Sequence, residues 1–383
     1  MAIHRVSLTD AGQPSAVDLM RIDSGDVPGT PAGWFIEKRR LHDGLSHGVD
    51  VVEVNAGRLR VIVVPTRGMG LWRAWMDGCE LGWRSPVRGP VHPAFVPLAE
   101  ASGLGWLDGF DELMCRCGLE SLGSPEHDEH GRLRYGLHGR IANRPAQFVE
   151  VAVDDAAGTI SLAGVVEESR FHFQKLRLRT TYTLRFDATE LAWRDEVENF
   201  GGTPAKMQMM YHVNIGLPFL GVGSQVVAPV RSVVPGSKES TGDAAKLWTQ
   251  FDGPTSGYVQ QVFYNTPLAD ESGQSLVLLK NPAETQAVQI AFNVRQLPCF
   301  TLWKNCVAAA DGYVTGLEPG TSFPNPRSAE EAVGRVVSLS PGARWSADLA
   351  LDLLSDTQAV AAAQRRINDI QSSQVPQVYL EMQ

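Results

Sequence analysis

Among its 383 residues the chain has no uninterrupted apolar run of the roughly eighteen needed for a membrane-spanning helix. It also lacks any dense Lys/Arg stretch: 34 basic side chains stand against 43 acidic ones, for a formal net charge of −9. Binding a nucleic-acid backbone needs clustered cations, so no nucleic-acid partner and no membrane partner are expected. The segment MAIHRVSLTDAG lacks the apolar core of a secretory signal. Cysteine is scarce. Cys79, Cys115, Cys117, Cys299 and Cys306 are odd in number, and Cys115-Arg116-Cys117 is C-x-C with no second pair. That pattern excludes a disulfide framework and the familiar C-x-x-C metal and redox sites. Reduced structural thiols and a cytoplasmic location are the expectation. His127, His130 and His138 are the remaining thought for zinc, but Pro125 to His130 reads as a solvated loop without the helical spacing of H-E-x-x-H sites. No metal is expected.

What is present is a real core, with 43% hydrophobic and 20% charged residues, and a strong period of two. From Lys175 to Phe186, Leu176, Leu178, Tyr182, Leu184 and Phe186 alternate with Lys175, Arg177, Arg179 and Arg185. That spacing predicts a long, half-buried antiparallel strand. A turn at Asp187-Ala188-Thr189 leads to further strands over 191–200 and 205–214, a meander. Shorter strands are expected at 51–54, 59–64, 71–76, 80–83 and 146–153, separated by turn signals such as Asn55-Ala56-Gly57. Later ones are expected at 225–234, 275–279, 287–292, 300–303, 313–317, 334–339 and 344–351. One helix is predicted, Asp356 to Ile370, capped by Ser355, with Val360, Ala363 and Ile367 on one face. Segment 98–117 holds either a short helix or a glycine-structured loop. No repeat or linker breaks the chain. The expected fold class is all-β: one large antiparallel β-sandwich over residues 1–383, its core at about 30–352, with a C-terminal helix.

Three places gather polar chemistry at strand ends. Alternation puts Gln208, Met210, His212 and Asn214 on one face of the 205–214 strand and Met207, Met209, Tyr211 and Val213 on the core face. The pair His212 and Asn214 makes a polar platform or a solvated sheet face. The loop Leu137-His138-Gly139-Arg140-Ile141-Ala142-Asn143-Arg144-Pro145 offers several donors to hydroxyl oxygens, or forms a basic surface loop. In Thr315-Gly316-Leu317-Glu318-Pro319-Gly320, Pro319 biases Glu318 towards extended backbone, and Pro319-Gly320 should end the strand. A carboxylate held there suits a general base.

As a set, Leu137-His138-Gly139, His212 and Leu317-Glu318-Pro319 resemble the aldose 1-epimerase (mutarotase) superfamily, in that order and at comparable intervals. With Pro65-x-Arg67-Gly68-Met69 and the stretch from Trp303 to Thr321, the chain is most similar to a bacterial aldose-1-epimerase-like branch of unknown function. The His138 to Arg144 segment also looks like the His-Gly-x-x-Arg loop of the hexose-phosphate branch, with different spacing. The resemblance implies a galactose mutarotase-like supersandwich and an isomerase of carbohydrate metabolism that interconverts sugar anomers without a cofactor. It implies Glu318 as base, His212 as acid and His138 as the group that orients the sugar. Candidate substrate contacts are Arg67, Arg140, Asn143, Asn214, Trp303 and Lys304, and the three cations among them leave an anionic sugar open. The chain departs from well-studied mutarotases in three ways. Asn214 follows His212 by two, His138 precedes Gly-Arg instead of Gly-Gly, and no aspartate for the sugar hydroxyls stands out.

Other carbohydrate readings differ in their demands. A glycoside hydrolase needs two carboxylates about 5–10 Å apart, and Asp195 lies on the opposite strand face from Glu196 and Glu198. A different sugar isomerase or a lyase would use the same base on carbon. A non-catalytic carbohydrate-binding protein would need the cleft alone.

Overall fold

A computed structural model describes residues 3–13, 18–372 and 374–383. The chain divides into two compact units. The first comprises Met1–Glu80, Val87–Met209 and Pro324–Ala347; the second comprises Leu81–Pro86, Met210–Phe323 and Asp348–Gln383.

In the first unit, the meander read from alternation is an antiparallel sheet. Ile3–Asp10, Ala146–Asp154, Thr159–Ser169, Lys175–Arg185 and Leu191–Asn199 pair in that order. Tyr182 lies opposite Trp193, and Thr180 opposite Asp195. A second antiparallel sheet runs Leu19–Asp23, Phe35–Arg40, Asp50–Asn55, Leu59–Val64, Gly70–Met76 and Met114–Leu119. The two sheets bury their apolar faces against one another. An ion pair passes through that core. Arg116, from Met114–Leu119, reaches Asp195 at 2.5 and 2.9 Å, with Thr180 Oγ1 at 2.7 Å and the Met69 carbonyl at 2.9 Å. Both side chains are fully buried. Asp195 is therefore a structural counter-ion, not a free carboxylate for hydrolysis.

In the second unit, Met210–Ile215, the latter part of the strand Ala205–Ile215, is followed in order by Val314–Gly320, Cys299–Asn305, Gln261–Pro267 and Val230–Pro235, all antiparallel. Asp348–Leu354, the latter part of the strand Arg344–Leu354, is followed in order by Ala287–Asn293, Gln274–Lys280 and Gln225–Val227. The helix Thr357–Gln371 lays Ala363 and Ile367 against Leu276 and Leu278 of that sheet.

Several boundaries differ from expectation. The helix is capped by Asp356, whose carboxylate accepts from the Ala359 amide at 2.8 Å, not by Ser355. The expected strand over 225–234 is two, Gln225–Val227 and Val230–Pro235, on either side of Pro229, which has no amide to donate. Residues 98–117 form 3-10 turns at Gly105–Gly109 and then the strand Met114–Leu119. The strand bearing Glu318 does not stop at Pro319: Phe300 still pairs with Pro319, and Cys299 with Gly320. The expected strand over 334–339 shortens to Val337–Leu339 behind a short helix at Arg327–Ala332. The strands Thr159–Ser169 and Gln261–Pro267 were not legible in the sequence.

Candidate active site

The strand Val314–Gly320 is buried along its whole length, and its glycines let other groups crowd the backbone. Thr301 and Trp303 lie opposite Glu318 and Gly316. On the other side, Val213 pairs with Leu317 and Met210 with Gly320, which brackets His212 against Glu318. One sheet face thus carries Asn214, His212, Glu318, Thr301 and Trp303. It is not a solvated face: His212 is 4% exposed, Asn214 0% and Glu318 2%.

His212 Nε2 lies 3.2 Å from Glu318 Oε1. The other ring nitrogen, Nδ1, is 2.6 Å from Asn214 Oδ1. The Asn214 amide nitrogen donates to the His212 carbonyl at 3.1 Å, which fixes the amide oxygen towards the ring. Nδ1 therefore carries a hydrogen. Nε2 and a bare carboxylate are both acceptors unless one further proton lies between them. The short contact sets an imidazole nitrogen against a carboxylate oxygen, an arrangement that holds a proton between them when the imidazole is charged. The Trp303 ring stands edge-on to His212, with centroids 5.4 Å apart, and its Nε1 donates to Gln260 at 2.7 Å.

Thr301 was not singled out by sequence. It is 1% exposed, beside Glu318 in register, and its hydroxyl has no hydrogen-bond partner among the described residues. Alternation from Trp303 two residues on was the available signal. Lys304, one residue off, projects from the opposite face, with its ammonium 5.2 Å from the Phe251 ring and 5.7 Å from Phe263. Burial holds that ammonium below the usual lysine range. Lys304 therefore faces away from Glu318.

The remaining candidates belong to the first unit. Arg67 is buried and committed to protein partners: Glu112 at 2.5 Å, Asn143 Oδ1 at 2.8 Å, and the carbonyls of Val91 and Gly109 at 3.0 and 2.8 Å. Arg67 and Asn143 are brought together, as a clamp between two turns. Gly68, at φ 61°, sits where a Cβ would lie 2.3 Å from the Ile141 carbonyl, so no larger residue fits that turn. His138 has left-handed backbone, φ 57°. Its Nδ1 lies 2.9 Å from the Leu122 carbonyl, and its ring packs edge-on against Trp106 at 4.7 Å. Gly139 follows because a Cβ there would lie 2.1 Å from the Ser121 carbonyl. Arg140 pairs with Glu120 at 2.8 Å and Glu168 at 3.6 Å. His127, weighed above for zinc, sets its Nε2 3.0 Å from the Ala101 carbonyl.

The family model of a domain of unknown function, DUF4432, matches residues 46–353. The chain belongs to the DUF4432 family. A provisionally named aldose 1-epimerase from Klebsiella pneumoniae is 36% identical, with a TM-score of 0.95 over 98% of both chains. A galactose mutarotase-like protein from Clostridium acetobutylicum is 15% identical, with a TM-score of 0.58 over 83% of this chain and 98% of that one. A galactose 1-epimerase from Lactobacillus acidophilus is 12% identical, with a TM-score of 0.53 over 83% and 98%. No curated protein matches. At those lower identities the likeness is one of fold. This DUF4432 chain is an all-β, galactose mutarotase-like sandwich with a C-terminal helix. Among the described residues, no helix is long and apolar enough to cross a membrane.

Proposed function

We propose that this DUF4432 protein is a carbohydrate-active acid/base enzyme of the aldose 1-epimerase kind, whose protons move through Glu318 and His212. The observation that carries this reading is the buried contact of His212 Nε2 with Glu318 Oε1 at 3.2 Å, with the imidazole oriented by Asn214. Opening a cyclic hemiacetal requires removal of the anomeric hydroxyl proton and protonation of the ring oxygen. A carboxylate beside an imidazolium supplies both: Glu318 accepts the first proton and His212 Nε2 delivers the second. Closure on the other face of the carbonyl reverses the roles. The dyad is regenerated without net consumption of a proton. Each positioned group contributes roughly 10²–10⁴-fold to such a step. Thr301 and Trp303, on the same face, are the groups available to a sugar hydroxyl and a sugar ring. The resemblance gives His138 an orienting role, which its own substitution tests. The five cysteines are free thiols, which fits a reducing compartment such as the cytoplasm.

The test is anomer exchange by NMR saturation transfer across aldoses, uronates and sugar phosphates, comparing wild type with Glu318→Gln. The expected result is wild-type acceleration of at least one sugar, falling by about 10²-fold or more in the variant. A folded wild type that binds a sugar and accelerates no exchange would refute mutarotation. Exchange of a carbon-bound proton in the same samples would then identify a different isomerase or a lyase using the same base.

A further inference from the structure

The first unit contains a cavity of about 1020 Å³ beside the His138 loop, lined by Leu137, Gly139 and Arg140 of that loop and by Trp106, which packs on the His138 ring. Its size is at the upper end of small-molecule sites, roughly 300–1,000 Å³. Its wall is graded in charge. Glu168, 1% exposed, Glu120 at 24% and Arg140 at 30% form one linked group in its deeper wall. Glu168 is held in place by the amides of Leu119 and Glu120, at 3.3 and 3.0 Å. The exposed rim is basic: Arg132, Arg134 and Arg170.

The rim arginines are not equally engaged. Arg132 is closely paired with Asp128 at 2.8 Å, whereas Arg134 reaches Glu126 only at 3.5 Å. Arg170 makes no ion pair among the described residues, and its guanidinium lies 4.2 Å over the Phe173 ring. Arg134 likewise lies 5.2 Å over Tyr135. Both aromatic rings line the cavity. Two guanidinium groups are thus preorganised on rings with their donors incompletely used, at the mouth of a cavity whose floor holds carboxylates. On a chain of net charge −9 this basic rim is a local reversal of sign.

We propose that this cavity binds an acidic saccharide. Glu120 and Arg140 on the floor take its hydroxyls, and Arg134 and Arg170 at the rim take its carboxylate or phosphate. A sugar hydroxyl both donates and accepts, which matches a carboxylate beside a guanidinium; a neutral sugar leaves the rim unused. Burial raises the Glu120 carboxyl above its ordinary range, against the pull of Arg140 and with the push of Glu168. That carboxyl is suited to hydroxyls and not to a second anion. The inference rests on the carbohydrate reading above and concerns a saccharide held in the first unit, since the cavity's lining includes neither Glu318 nor His212.

The experiment is equilibrium binding by calorimetry to the full chain carrying Glu318→Gln, so that turnover does not interfere. The ligands are glucose and galactose, their uronates and their 6-phosphates. At least one acidic form is expected to bind about tenfold tighter than its neutral parent, the difference one charge-assisted hydrogen bond makes. The uronate and phosphate arms tell the two anions apart. The preference should shrink with added salt. It should vanish in the double variant Arg134→Gln/Arg170→Gln, whose exposed positions leave folding intact. Glu120→Gln should weaken neutral and acidic forms alike. Equal affinity for neutral and acidic forms, a preference that survives loss of both arginines, or no binding of any ligand would overturn the inference. Exchange of neutral sugars by wild type would leave the Glu318/His212 reading standing in each case. Absence of both binding and exchange would sink the two together.

Discussion

Gly316 offers a way to disable the dyad without touching either of its members. It lies opposite Trp303 in the sheet, and its backbone is not in the left-handed region, so alanine meets no conformational barrier there. The added Cβ, however, would lie 2.2 Å from Glu318 Oε1 and 3.1 Å from His212 Cε1. Ordinary contact begins near 3.4 Å, so the carboxylate must retreat by about 1 Å. Glu318 is 2% exposed and has little room to do so. The 3.2 Å contact between His212 and Glu318 is then lost. A displacement of about 1 Å at a reacting group costs on the order of 10²-fold in rate, while overpacking one methyl costs about 1–3 kcal/mol of stability. The assay pairs saturation-transfer exchange with urea unfolding of Gly316→Ala. A rate within about twofold of wild type in a folded Gly316→Ala protein, against that 10²-fold expectation, would refute the role of the dyad.

Other substitutions separate function from fold. Thr301→Val removes a buried hydroxyl that has no partner, so unfolding midpoints should hold or rise, while exchange kcat/KM should fall about tenfold, the worth of one hydrogen bond to the sugar; Thr301→Ser should restore the rate, and an unchanged rate in the valine variant would remove Thr301 from the site. Asp195→Asn strands the Arg116 charge in the core and should cost about 3–5 kcal/mol in denaturant titration; a loss below about 1 kcal/mol, typical of an exposed pair, would contradict the buried geometry. Burial, then the Glu112 carboxylate, push Asp111 up to about 7, against Arg67 and the Trp72 hydrogen bond. A carboxyl raised in the folded state stabilises fully below its unfolded pKa, and that contribution is lost as pH rises through about 7. Asp111→Asn should therefore flatten the decline in thermal midpoint between about pH 4 and about pH 7, the interval between its unfolded and folded titrations; an unchanged slope would mean that Asp111 ionises normally.

Much of the fold was legible because alternation is a local property of the chain. Lys175–Arg185 and Leu191–Asn199 show it plainly, with apolar side chains inward and charged ones outward. The strand Thr159–Ser169 hid because its inward series is Ile160, Leu162, Gly164, Val166 and Glu168, broken by a glycine and ended by an acid. Gly164 is needed there because Met69 fills the space a Cβ would take, and only the facing sheet reveals that. Pro229 split one expected strand and Pro319 failed to end another. A proline removes one amide, and whether the ladder needed that amide depends on the neighbouring strand.

The same boundary divides the candidate site. Sequence alone named Glu318, His212 and Asn214 as polar side chains on extended backbone, since residue type and period two are written in the chain. It did not decide which cations were free. Arg67 and Lys304 were reasonable sugar contacts by charge, yet Arg67 is consumed by Glu112 and Asn143, and Lys304 faces two phenylalanines. Those partners lie tens of residues away in sequence. Strand register decided the rest, by setting Glu318 between His212 and Thr301. Pairing two strands fixes which side chains meet, and no property of either strand read alone contains that information.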